Sequence, residues 1–138
     1  MKPALTHVAL GVGELERTIS FYRRYAKMHV VHDRHEGDTR VVWLSERAES
    51  PVFVLVLFEI SLPVPVRPSS LQHLGFAVGS RAEVDEVAAE AKRDGVLALE
   101  PSYAGPVVGY FCIVHDPDGN QVEFSYGQPI DPRQLPTA

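Results

Sequence analysis

The heptapeptide His7-Val8-Ala9-Leu10-Gly11-Val12-Gly13 returns 66 residues later as His73-Leu74-Gly75-Phe76-Ala77-Val78-Gly79. Successive side chains of a strand point to opposite faces. Each copy therefore puts its histidine and small residues on one face and its large apolar residues on the other. Agreement in face, spacing and position marks an internal duplication, so the chain must fold as two like supersecondary units. A length of 138 residues accommodates one domain with a real hydrophobic core.

Each copy continues in the same way. Residues 5–12 form a first strand, and Glu14 to Lys27 reads as an amphipathic helix, with Leu15, Ile19, Tyr22 and Ala26 at helical spacing. Its acidic start and basic end suit the helix dipole. Three strands follow, near 28–34, 39–45 and 52–60, which completes a βαβββ unit. Residues 61–70 carry Pro63, Pro65 and Pro68, the composition of an extended linker. In the second copy, Ser80 and Glu83 form a capping box before a helix that buries Val84, Val87, Ala88 and Ala91 and ends near Gly95. Strands at 96–100, 107–115 and 120–126 complete the second unit, with 101–106 as a loop. An extended tail covers 128–138. The expected class is α+β, with module one at about 4–60 and module two at about 71–127 within one domain spanning 1–138.

His115-Asp116-Pro117-Asp118-Gly119 has the residue preferences of a type I turn between the last two strands. Beyond it, Val122, Phe124 and Tyr126 take the core face, and Gln121, Glu123 and Ser125 the polar one. A carboxylate held on that face meets either water or a group that needs it. If the two units pack with pseudo-twofold symmetry, His7 and His73 converge and Glu123 joins them. Two imidazoles and a carboxylate form a facial triad suited to iron, and to manganese, zinc or nickel. The alternative is satisfied or exposed histidines and a surface glutamate. The net charge of −5 and pI near 5.6 argue against nucleic-acid or anionic-membrane partners, which need a basic face. The single cysteine, Cys112, permits no internal disulfide, and there is no leader-like segment or apolar run of about 20 residues. These features point to a soluble, cytoplasmic protein with a small-molecule partner.

The duplicated βαβββ pattern, the histidine opening each unit, and Asp116-Pro117-Asp118-Gly119 with Glu123 four residues after the glycine together resemble the vicinal oxygen chelate superfamily. That group includes glyoxalase I, extradiol dioxygenases, fosfomycin-resistance proteins, methylmalonyl-CoA epimerase and bleomycin-binding proteins. The resemblance covers about residues 4–127. It implies a cup-shaped, partly open mixed sheet around a divalent metal (Fe2+, Mn2+, Ni2+ or Zn2+) held by His7, His73 and Glu123, usually in a homodimer.

Departures from individual families are informative. Glyoxalase I, and likewise methylmalonyl-CoA epimerase, has a polar fourth ligand where this chain has Val56; Glu59, three residues on, could serve if the register differs. Extradiol dioxygenases carry a tyrosine where Ile113 stands, with Tyr110 three residues earlier. Fosfomycin-resistance enzymes have a threonine where this chain has Ala9, and bleomycin-binding members lack the metal ligands. Tyr110, as a hydrogen-bond donor to a reacting oxygen, and His115, as a general base, are the candidate catalytic residues; core packing and a surface position are their alternatives. Alternation sends His29, His32 and His35 to different faces, which argues against a second metal site. Trp43, Phe58 and Tyr103 serve either as a pocket wall or as core. The expected function is a metal-dependent lyase, isomerase or dioxygenase acting on a small molecule that offers two adjacent oxygens. The alternative is a protein that sequesters a small molecule without chemistry.

Overall fold

The computed structural model describes residues 4–60 and 73–135, so the expected linker at 61–70 and the end of the tail lie outside the described residues. The chain divides into two compact units, Met1–Pro68 and Ser69–Ala138. The first unit runs β1 (His7–Val12), α1 (Leu15–Tyr25), β2 (His29–Glu36), β3 (Thr39–Ser45) and β4 (Val54–Glu59). The second runs β5 (Leu74–Ala77), α2 (Arg81–Arg93), β6 (Leu97–Tyr103), β7 (Tyr110–His115) and β8 (Gln121–Tyr126). Each folds into a four-stranded mixed sheet of the same topology, β1-β4-β3-β2 and β5-β8-β7-β6. In each, the first strand runs parallel to the last and the other pairs are antiparallel. The duplication read from the two heptapeptides is thus a duplication of topology, and the class is α+β.

One face of each sheet is covered by its helix. In the first unit, Val12, Val42, Leu44, Leu55 and Leu57 are buried together with Leu15, Ile19 and Tyr22 of α1. In the second, Val84, Ala88 and Ala91 of α2 are buried, as are Cys112, Val114, Val122 and Phe124. The ends of α2 are closed by local chemistry. Ser80 Oγ accepts from Glu83 N at 3.1 Å, and the Glu83 carboxylate accepts the Gly79 amide. At the other end Gly95, at φ +72°, lets its own N–H reach Lys92 O and that of Val96 reach Ala91 O, a Schellman closure. The α1 helix ends instead on Lys27, a non-glycine residue at φ +55°.

Three local expectations are corrected. β6 continues through Pro101 to Tyr103, where a loop was expected. Proline is tolerated there because β6 is an edge strand whose pairing with β7 is broken by two register shifts. The tail is not extended throughout, since Pro132–Gln134 form a 3-10 turn capped by the Asp131 carboxylate. Finally, β2 carries a bulge between Val30 and His32. The extra residue resets the alternation, so His29 (opposite Ser45) and His32 (opposite Trp43) fall on one face while His35 (opposite Arg40) takes the other.

Candidate metal centre

The face of each sheet away from its helix carries His7, His73, Glu123 and His115. In the second unit, β5 and β8 pair in parallel with Gly75 opposite Glu123, and β7 sets Ile113 against Glu123 from the other side. Partners across a ladder share a face, so His73, Gly75, Glu123, Ile113 and His115 lie on one side of this sheet. Packed between two strands, Glu123 is only 7% exposed. His73 Nε2 lies 3.7 Å from Glu123 Oε2. A Cβ built on Gly75 would sit 3.4 Å from the same oxygen, so the glycine leaves open the space beside the carboxylate.

The Asp116 turn sets where β8 begins. Asp116 is 3% exposed, and its carboxylate accepts from Asp118 N (3.0 Å), Asn120 N (2.8 Å) and Asn120 Nδ2 (2.9 Å). Gly119 N closes the turn onto Asp116 O at 3.0 Å, and Gly119 takes φ +84°. With the chain pinned this way, alternation along β8 delivers Glu123 to the His73 face.

In the first unit, His7 occupies the corresponding place on β1, two residues before Ala9, which pairs with Val56 of β4. His7 is exposed, and its Nδ1 is 2.9 Å from the Thr6 hydroxyl. That contact engages Nδ1; in His73 it is the other ring nitrogen, Nε2, that turns toward Glu123. The Thr6-His7 dipeptide was the available signal for this partner, and sequence reasoning passed over it.

Residues named in the sequence but placed elsewhere are equally informative. Tyr110 lies on the helix side of its sheet, opposite in face to Ile113 and Glu123, and its hydroxyl donates to Asp85 of α2. That bond pushes the Tyr110 pKa up, with burial adding to it. Tyr110 is therefore not brought to the Glu123 face, because it stands an odd number of residues, three, before Ile113. Glu59 pairs with Val12 on the helix side of its sheet, where its carboxylate accepts the Leu15 amide at 3.4 Å at the start of α1. It cannot share a face with Val56 and does not serve as a fourth ligand. Cys112 follows Tyr110's face; its Sγ is 3.9 Å from Val84 O, and burial, with a smaller contribution from Asp85, pushes its thiol up to about 11. Tyr103, paired with Tyr110 on the edge strand, packs under the Arg81 guanidinium.

Within either unit, among the described residues, no three His, Cys, Asp or Glu side chains come together as a metal-holding group. The second unit does bring two donors together. Two donors each about 2.1 Å from one ion and separated by about 90–110° lie about 3.0–3.4 Å apart. The 3.7 Å between His73 Nε2 and Glu123 Oε2 needs only a small closure to meet that spacing, so the donors fit a divalent ion.

Residues 4–124 match the family model of the glyoxalase/bleomycin resistance protein/dioxygenase superfamily. The chain belongs to this superfamily. It is 40% identical over 132 residues to the uncharacterised protein PA2024 of Pseudomonas aeruginosa, covering 96% of this chain and 94% of that one. Its fold is shared with a trypanothione-dependent glyoxalase I of Leishmania major (23% identity, 91% and 88% of the two chains, TM-score 0.71). It is shared also with a variant of the Listeria monocytogenes fosfomycin resistance protein FosX, solved with Mn(II) and a dihydroxypropylphosphonic acid (20% identity, 98% and 100% of the two chains, TM-score 0.69). The register at Val56 sets the chain's two units apart. Ala9 pairs with Val56 in one unit exactly where Gly75 pairs with Glu123 in the other, so the first unit has valine at the counterpart of the carboxylate. No helix among the described residues is long and apolar enough to cross a membrane.

Proposed function

We propose that this chain is a divalent-metal-dependent enzyme, working in the cytoplasm as a homodimer, that acts on a small molecule offering two adjacent oxygens. His7, His73 and Glu123 are the ligands. The observation that carries the reading is the buried Glu123 carboxylate, 3.7 Å from His73 Nε2 across the gap left by Gly75. A carboxylate removed from water is costly unless a cation or hydrogen-bond donor compensates it. At 3.7 Å the His73 Nε2 is beyond hydrogen-bond range of the carboxylate, whereas a divalent ion held by both groups would compensate it. When bound, a divalent ion supplies Lewis-acid charge for a developing oxyanion and, if it is iron, access to dioxygen chemistry.

The protein's own residues define the rest. Val56 withholds a fourth side-chain ligand, which leaves positions for both substrate oxygens. Ile113, beside Glu123, keeps water from one side of the carboxylate. His115 shares the Glu123 face one residue pair along, opposite Gln121, and is exposed, so its imidazole is the group on this face suited to take a substrate proton. Tyr110 has no part in this scheme.

Metal content by mass spectrometry, on protein purified without chelator or affinity tag, tests the reading. Near-stoichiometric iron, manganese, nickel or zinc is expected in the wild type and its loss in Glu123→Ala. Protein that stays metal-free after reconstitution, yet holds a small ligand, would instead be a sequestering protein. The displacement of Tyr110 from the Glu123 face favours that second reading, because it removes one candidate acid.

A further inference from the structure

The first unit's sheet carries a recognition surface on the same face as His7. Its ladders define two rows of side chains crossing all four strands. One row is Ala9, Val56, Trp43 and His32, and the next is Gly11, Phe58, Val41 and Arg34. The floor between the β1 and β2 ends is thus apolar and aromatic, with Trp43 and Phe58 both only partly buried. At the β1 end Ala9 is small, and Gly11 makes room for the Ile60 side chain, which lies where a Cβ on Gly11 would be and adds to the apolar floor.

At the far end the character changes. The Arg34 guanidinium lies 5.4 Å over the Trp43 ring, and the His32 ring is 4.8 Å from it on the neighbouring strand. The bulge in β2 adds His29 to this face, where regular alternation would have turned it away. Arg34 donates to the Glu36 carboxylate through Nε (3.0 Å) and Nη2 (2.5 Å), which fixes the guanidinium plane and leaves Nη1 to donate to another acceptor. With histidines neutral, as in the net charge of −5, the Arg34 and Glu36 charges cancel on this face, within a protein that is acidic as a whole. What the face offers an anion is the remaining N–H donors of Arg34, with the His32 ring beside them.

We propose that this surface binds the non-reacting part of the substrate, and that this part is a planar, aromatic body ending in an anionic group such as a carboxylate. The inference rests on the metal-centre reading, since it takes the His7 end of the sheet as the place of reaction. Strands lie about 4.8 Å apart, so three spacings separate the β1 and β2 ends by about 14 Å. This span suits a body of about two fused or linked rings. The ring system lies along Val56, Phe58 and Trp43, and the anion meets Arg34, with His32 beside it.

Biphenyl-4-carboxylate is the probe, with the neutral biphenyl-4-methanol as control. Binding to the protein as purified is measured by calorimetry, and Trp43, the only tryptophan in the chain, reports the site by its emission. Saturable binding of the carboxylate with quenching of Trp43, weakened at least tenfold in the neutral analogue and in Arg34→Gln but retained in Arg34→Lys, is the expected result. Far-UV circular dichroism of each variant checks that the fold is intact. Equal affinity for the two probes, no effect of Arg34→Gln, or no saturable binding overturns the proposal. The Glu123→Ala variant separates the two readings. If it abolishes probe binding while Arg34→Gln does not, the carboxylate sits on the metal and the Arg34 assignment fails. If Glu123→Ala loses no metal yet probe binding still follows Arg34, the metal-centre reading fails and the anion site stands.

Discussion

Replacing Asp116 with alanine should destabilise the protein by about 3–5 kcal/mol. Asp116 is almost wholly buried, and its carboxylate accepts three hydrogen bonds, two from backbone amides and one from the Asn120 side chain. Bonds to a charged acceptor contribute about 1.5–3 kcal/mol each, and a buried donor left unpaired costs about 1–3 kcal/mol. Over three bonds the first range alone comes to about 4.5–9 kcal/mol. The Asp118 and Asn120 amides are only partly buried, however, so water can reach them after the deletion, which brings the total down. Asp116→Asn keeps an acceptor for both backbone amides but sets a donor against Asn120 Nδ2, so it should cost about 1–2 kcal/mol. Urea unfolding followed by circular dichroism reads both values, with an unchanged denaturant slope if only the folded state is affected. A loss below about 1 kcal/mol in the alanine variant, or equal losses in the two, would refute the assignment of the turn's stability to this carboxylate.

Other expectations are narrower. Gly109 takes φ +81°, and a Cβ there would lie 2.4 Å from Tyr126 O, so Gly109→Ala combines backbone strain with a clash against main chain; a loss above about 2 kcal/mol in thermal unfolding is expected, and one below about 1 kcal/mol contradicts it. Lys27 holds φ +55°, where glycine is unstrained, at the loss of its Nζ bond to Arg24 O (2.7 Å); Lys27→Gly should therefore be neutral to about 1 kcal/mol stabilising by urea midpoint, and clear destabilisation would show that the side-chain bond outweighs the strain. The Cys112 thiol, pushed up to about 11 by burial, should resist iodoacetamide at neutral pH until the protein is unfolded. Because its folded pKa lies above its unfolded one, its contribution to stability is fully present below about pH 9 and is lost as pH rises toward about 11. Unfolding midpoints that rise across this window in the wild type but not in Cys112→Ala would contradict that sign.

The sequence carried the repeat, the two βαβββ units, both helices and the Asp116 turn, because these depend on residues close together along the chain. Alternation along β8 was enough to set Glu123 apart from Val122 and Phe124. It also placed Tyr110 and Cys112 together, but it could not say which face was covered by α2; the helix lies on their side, so Tyr110 bonds Asp85 and not the Glu123 face. Glu59 was likewise open to two readings until β4 was paired with β1, which turned it toward the start of α1 and left Val56 as the counterpart of Glu123. The bulge in β2 was invisible for a related reason. A single extra residue has no signature of its own in Val30-Val31-His32, yet it reverses the face of every side chain on one side of it. The sequence by itself determined which residues alternate and where the chain turns, since both follow from backbone geometry over a few residues. Tertiary structure decided which of two faces meets a helix and which neighbour each strand takes, since those choices depend on pairing and burial between segments far apart in the chain.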